Sequence, residues 1–123
     1  EACLEGGADA VSLINTINSI MRVDYDNLTM FPTTGGMGTH GGYCGEAVKP
    51  IALNMVAEIA RNEKTKNLPI SGIGGVTTWK DAVDFIALGA SNVQVCTAAM
   101  VYGFKIVEDM KTGLSNFLDE KGM

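Results

Sequence analysis

Apolar positions follow two rhythms along the chain. Three short runs, 10–15, 68–71 and 92–96, are apolar for most of their length and bounded by glycine or polar residues, which predicts strands. The first run is nearly unbroken, and that predicts a strand buried on both faces. Elsewhere apolar residues return every three or four positions. Val48, Ile51, Ala52, Met55, Val56, Ile59 and Ala60 predict a helix that starts within 46–49, because Pro50 fits only the first turn. Thr78 is placed to cap a second helix, with Asp81 favouring its positive end. Trp79, Ala82, Val83 and Ile86 form its apolar face and Gly89 ends it. A last helix is expected over 103–119, with Ile106, Val107, Met110, Leu114, Phe117 and Leu118 inward. Residues 1–5 read as the end of a helix stopped by Gly6 and Gly7, as in a chain cut inside that helix.

Residues 17–46 keep neither rhythm. They are rich in glycine and threonine and are expected to form a long irregular loop, a length that in compact domains usually marks function or disorder. The order helix end, strand, loop, helix, strand, helix, strand, helix gives an α/β fold with a parallel sheet covered by helices. The second and third strands start 24 residues apart. That spacing is compact, as in a (β/α)8 barrel. A full barrel takes about 250 residues, so the expected architecture is the C-terminal part of a TIM barrel, about three βα units over 1–123.

Composition narrows the partners. Nine basic against 14 acidic residues leave a net charge of −5. That argues against nucleic acid, which requires clustered Lys and Arg. It leaves room for a single phosphate, which backbone N–H groups hold without side-chain charge. Cys3, Cys44 and Cys96 are far apart and form no C-x-x-C, so no iron–sulfur or zinc pattern is present in the chain. Free thiols in a reducing compartment, with no membrane-length apolar run and no signal-peptide pattern, make the expected location cytoplasmic.

In a barrel, chemistry sits where strands end. The ends here are Asn15-Thr16, the glycines of "SGIGGV" (71–76), and Cys96-Thr97. A tight turn needs one glycine with positive φ; Gly72, Gly74 and Gly75 together suggest a backbone that a phosphate approaches closely. "TTGGMGTHGGYCGEAVKP" (33–50) reads equally as a flexible linker or as a second set of amides, with Gly45 just before a helix. Asn15 both donates and accepts, and so suits a planar amide ligand, yet a strand-end cap explains it as well. His40, the only histidine, reads as a solvated loop residue, and Cys96 as a small buried thiol.

"GGADAVSLINTINSI", "GGYCGEAVKPIAL", "SGIGGV", "VQVCTA" and "VEDMKTGL", in this order and spacing, resemble the flavin domain of dihydropyrimidine dehydrogenases, kin of the dihydroorotate dehydrogenases. The pattern is most similar to the flavin- and iron–sulfur-bearing subunit of the bacterial NAD-dependent type, over essentially the whole chain. The resemblance implies an FMN-binding barrel. It matches Gly45, Ile73, Gly74, Gly75, Cys96 and Thr97 to FMN contacts, and Asn15 and Thr16 to residues that hydrogen-bond the pyrimidine. Cysteine rather than glycine at 96 favours the dihydropyrimidine branch.

It also implies what lies outside the chain: the general acid/base cysteine, the flavin-contacting lysines and the iron–sulfur region. The expected activity is that of a flavin-dependent oxidoreductase interconverting uracil or thymine and 5,6-dihydropyrimidines. Electrons from NAD(P)H would arrive through a partner flavoprotein and iron–sulfur clusters, and the isolated piece is expected to be inactive. The alternatives are a dihydroorotate dehydrogenase fragment or a non-catalytic phosphate-binding half barrel. The expected open sheet edges at 10–15 and 92–96 predict self-association.

Overall fold

The computed structural model describes all 123 residues. Helix α1 (Ala2–Glu5) is a single turn. Strand β1 (Val11–Leu13) follows. The chain then leaves the sheet as an arm of six short strands: β2 (Ile17–Ser19), β3 (Arg22–Asp24), β4 (Thr29–Phe31), β5 (Thr33–Thr34), β6 (Met37–Gly38) and β7 (Gly41–Tyr43). A 3-10 turn (Glu46–Val48) leads into α2 (Lys49–Arg61). The remainder alternates as β8 (Ile70–Ile73), α3 (Trp79–Ala87), β9 (Asn92–Gln94), α4 (Thr97–Tyr102) and α5 (Lys105–Lys121).

The central sheet is parallel, in the order β1-β8-β9. Val11 pairs with Ile70, and Leu13 with Gly72, which in turn pairs with Val93. This row faces the helices. Ala52 and Val56 of α2, Phe85 of α3, and Ile106 and Met110 of α5 close over it around the fully buried Ile70. Gly72 has a packing reason: a Cβ there would come within 2.6 Å of Phe85 Cδ1. Thr78 and Asp81 begin α3 as expected: Asp81 Oδ2 accepts from the Thr78 backbone N–H at 2.7 Å and from Thr78 Oγ1 at 3.0 Å.

Four expectations are corrected. β1 is not buried on both faces. Ser12 faces the open side with Ser71, Asn92 and Gln94, and Gln94 Nε2 donates to both Ser12 Oγ (2.8 Å) and Ser71 Oγ (2.7 Å). The 17–46 segment is not irregular but folds into three antiparallel pairings, β2 with β7, β3 with β4 and β5 with β6. Its nested hairpins are too short for an alternating pattern to register. The last helix runs Lys105–Lys121 rather than 103–119, and an unexpected separate helix over Thr97–Tyr102 precedes it, ended by Gly103 (φ 78°). Finally, Ile51, Met55, Ile86 and Val107 are exposed at 43–46%, while Phe85, one position from Ile86, is fully buried. The inward stripes are therefore narrower than periodicity suggested.

Candidate functional site

Three strand ends and the entry to α2 converge on one cavity of about 460 Å3. Ile14, Asn15 and Thr16 come from the end of β1, and Ile73 to Thr77 from the end of β8. Gln94, Cys96 and Thr97 follow β9, and Cys44 to Glu46 close the side below α2. Every residue proposed from sequence as a site residue lies on this wall: Asn15, Thr16, Gly45, Ile73, Gly74, Gly75, Cys96 and Thr97. His40 does not. Glu46 is the one charged residue of the wall, which holds neither lysine nor arginine.

What the wall offers is backbone. Among the hydrogen bonds of the chain, none is donated by the backbone N–H of Gly45, Gly74, Gly75 or Val76. Val76 is buried and the three glycines are half-buried, so these four unpaired donors are met either by water or by an acceptor-rich group held against the same cavity wall.

The reason offered for the glycines has to be revised. Gly74 (φ 137°) has no room for a Cβ, which would meet Ala52 Cβ at 2.8 Å; Gly75 (φ 73°) would meet the Gly45 carbonyl oxygen at 2.8 Å. Internal packing and backbone conformation thus account for Gly72, Gly74 and Gly75 without a ligand. The count of glycines does not point to phosphate; the unpaired amides do.

With that geometry in place, the comparisons are specific. The dihydroorotate dehydrogenase family model matches residues 1–118. The chain belongs to the dihydroorotate dehydrogenase family. It is 45% identical to the NAD-dependent dihydropyrimidine dehydrogenase subunit PreA of Escherichia coli, over 98% of this chain and 29% of that protein. It is 41% identical to the chloroplastic dihydropyrimidine dehydrogenase (NADP(+)) of Arabidopsis thaliana, over 95% of this chain and 28% of that protein. It is 40% identical to the catalytic subunit of dihydroorotate dehydrogenase B (NAD(+)) of Pyrococcus horikoshii, over 98% of this chain and 37% of that protein. The chain thus spans about a third or less of the length of these relatives.

Individual side chains of this family member fit their positions unevenly. Asn15 Oδ1 accepts from the Thr16 backbone N–H at 2.8 Å, so its oxygen serves as a local cap while its NH2 stays available. Thr16 packs against Gly42, where a Cβ would come within 2.3 Å of Thr16 Oγ1. Cys96 is exposed, which corrects the expectation of a buried thiol. Cys44 is exposed too, and its Sγ accepts from Thr97 Oγ1 at 3.5 Å. Sequence reasoning missed Gln94 and Cys44 as wall residues. Gln94 carried a signal, a polar residue inside an otherwise apolar strand.

It also missed Lys49. Lys49 is absent from the cavity wall, and its ammonium bridges Asp81 and Asp84 of α3, the latter at 2.8 Å. Desolvation pulls the Lys49 pKa down, but hydrogen bonds to Asp81 and Asp84 outweigh it and hold the ammonium above its ordinary value. Burial pushes Asp81 up, yet the bonds from Lys49 and from the Thr78 and Thr77 backbone hold its carboxyl below the usual range. A signal was present in the sequence: a lysine in the first turn of a helix opposes the macrodipole and calls for a carboxylate partner.

Proposed function

We propose that the cavity holds the phosphate end of FMN and one edge of a pyrimidine. Residues 1–123 would then be the C-terminal part, about three βα units, of a family barrel. The observation that carries this reading is the set of unpaired N–H groups at Gly45, Gly74, Gly75 and Val76 around a wall without basic side chains. Such a wall suits a phosphate bound by amides. Ile73, Cys96 and Thr97 supply the adjacent backbone, and Asn15 and Thr16 offer a free NH2 and a hydroxyl at the opposite strand end. When bound, FMN supplies the hydride chemistry; this chain orients it and the substrate.

The parent reaction we propose is the interconversion of uracil or thymine and 5,6-dihydropyrimidines, with NAD(P)H oxidised through a partner flavoprotein and iron–sulfur clusters, in the cytoplasm. The relatives carry both chemistries at similar identity, and what favours this one over orotate is the absence of a basic residue from the wall, since a substrate carboxylate calls for a donor of its own. No helix is long and apolar enough to cross a membrane.

The test is the flavin content of the full-length protein after gel filtration, together with NAD(P)H-linked reduction of uracil and of orotate. Bound FMN with uracil turnover is expected, and no turnover by the 123-residue piece alone. A full-length protein that retains no flavin would sink the reading; turnover of orotate alone would replace the substrate.

A further inference from the structure

We propose that Lys49 is a positioning residue for the phosphate-binding amides and not itself a phosphate ligand: its bridge to Asp81 and Asp84 clamps the start of α2 to the start of α3 and so fixes the 74–77 loop between them. The inference rests on the phosphate reading above.

The loop is pinned at both ends. Upstream, the Ile73 carbonyl accepts from the Ile14 backbone N–H at 2.7 Å. Downstream, Asp81 Oδ2 accepts from the backbone N–H groups of Thr77 (3.0 Å) and Thr78 (2.7 Å), while its other oxygen meets Lys49. In between, the backbone of Gly75 lies against Lys49: a Cβ on Gly75 would stand 2.9 Å from Lys49 Cβ. The lysine itself is absent from the cavity wall, and its ammonium is shared by two carboxylates. Two acids around one base leave no positive charge to offer an anion. Asp81 Oδ2 alone takes the N–H donors of Thr77 and Thr78, while those of Gly74, Gly75 and Val76, residues of the cavity wall, have no partner within the chain. Losing the bridge frees the loop to rotate, and amide aim is what a phosphate reads and an uncharged ligand does not.

The experiment compares FMN with riboflavin, which lacks the phosphate, on the full-length protein. Lys49→Met is expected to weaken FMN by about tenfold while moving riboflavin little, and Lys49→Arg to recover most of the loss. Asp84→Asn is the variant that spares folding, since the Asp84 side chain is 48% exposed. Clamping predicts that Asp81→Asn lowers FMN affinity and that Asp84→Asn lowers it less, so unchanged affinity in Asp81→Asn would overturn the proposal. A lysine that bound phosphate directly would be released by either change, so tighter FMN would overturn the proposal. Equal losses of FMN and riboflavin in Lys49→Met would reduce the bridge to a folding contact and also overturn it. A wild-type protein indifferent to the phosphate would instead refute the phosphate reading itself.

Discussion

Replacing Gly74 by alanine separates packing from ligand binding. The residue sits at φ 137°, a conformation that side chains with a Cβ rarely adopt. Its new methyl would lie 2.8 Å from Ala52 Cβ, 3.4 Å from Ile14 Cγ1 and 3.7 Å from Val48 Cγ2. Ala52 is fully buried, so the neighbour has no room to yield. Backbone strain costs about 1–3 kcal/mol and forced overpacking about 1–3 kcal/mol, for a total of roughly 2–6 kcal/mol. Gly45→Ala is the control. Its φ of 83° carries similar strain, but the nearest atom to a Cβ there is Thr97 Cγ2 at 3.9 Å. That substitution should cost only the strain, about 1–3 kcal/mol. Thermal midpoints and flavin content of the full-length variants are the assay. Gly74→Ala should lose markedly more stability than Gly45→Ala, and both should lose FMN, because each disturbs an unpaired amide. If Gly74→Ala is as stable as the parent protein, the packing account of the loop is wrong. If both variants keep their flavin unchanged, the amides do not hold it.

Three further outcomes are expected. Asn15→Ala in the full-length protein should lower pyrimidine turnover by the equivalent of about 1–3 kcal/mol and spare flavin binding, because an NH2 that serves the substrate is lost; unaltered kinetics would leave Asn15 only its bond to the Thr16 amide. The isolated chain should self-associate at low micromolar concentration, since β1 and β9 are open edges and Met100, Phe104, Leu28 and Met21 are 78–84% exposed; sedimentation as a cooperative monomer would contradict this. For pH, the lowered Asp81 pKa contributes stability that is present above the unfolded carboxyl value of about 3.9 and lost as pH falls through the folded one. Lys49, raised, contributes stability that is present below about 10.4 and lost as pH climbs past its folded value. Asp81→Asn should therefore be less stable than the parent at neutral pH and converge with it in acid, as followed by denaturant midpoints.

How far the sequence carried the fold depends on the range of the forces involved. The parallel sheet, the Thr78–Asp81 helix start and the order of elements were legible because each is written within one turn or one strand. That the candidate site residues would share one cavity wall was legible for the same reason: they stand at or near strand ends, and the topology alone brings strand ends together. What escaped depends on pairings distant in sequence. The arm's hairpins join residues as far apart as Ile17 and Tyr43, with two or three residues per strand and no rhythm to detect. Phe85 rather than Ile86 faces the core because Gly72, on another element, leaves the space for its ring. The open face of the sheet is polar because Gln94 binds Ser12 and Ser71 across three strands.

The glycines make the same point from the other side. The motif led to the cavity wall, yet packing alone accounts for its glycines. Gly72, Gly74 and Gly75 are each required by a neighbour: Phe85, Ala52 and the Gly45 carbonyl, respectively. Tight packing of the loop on α2 and α3 is nevertheless what leaves its amides without partners. A backbone wedged between two helix starts has no strand or helix to complete, so its N–H groups find no partner within the chain. The same packing that demands glycine therefore creates the donor set. In the proposed reading the Lys49–Asp81 bridge holds that geometry without lining the cavity. Binding and folding would then act on the same residues, and a substitution in this loop has to be read against a ligand without a phosphate before either role is assigned.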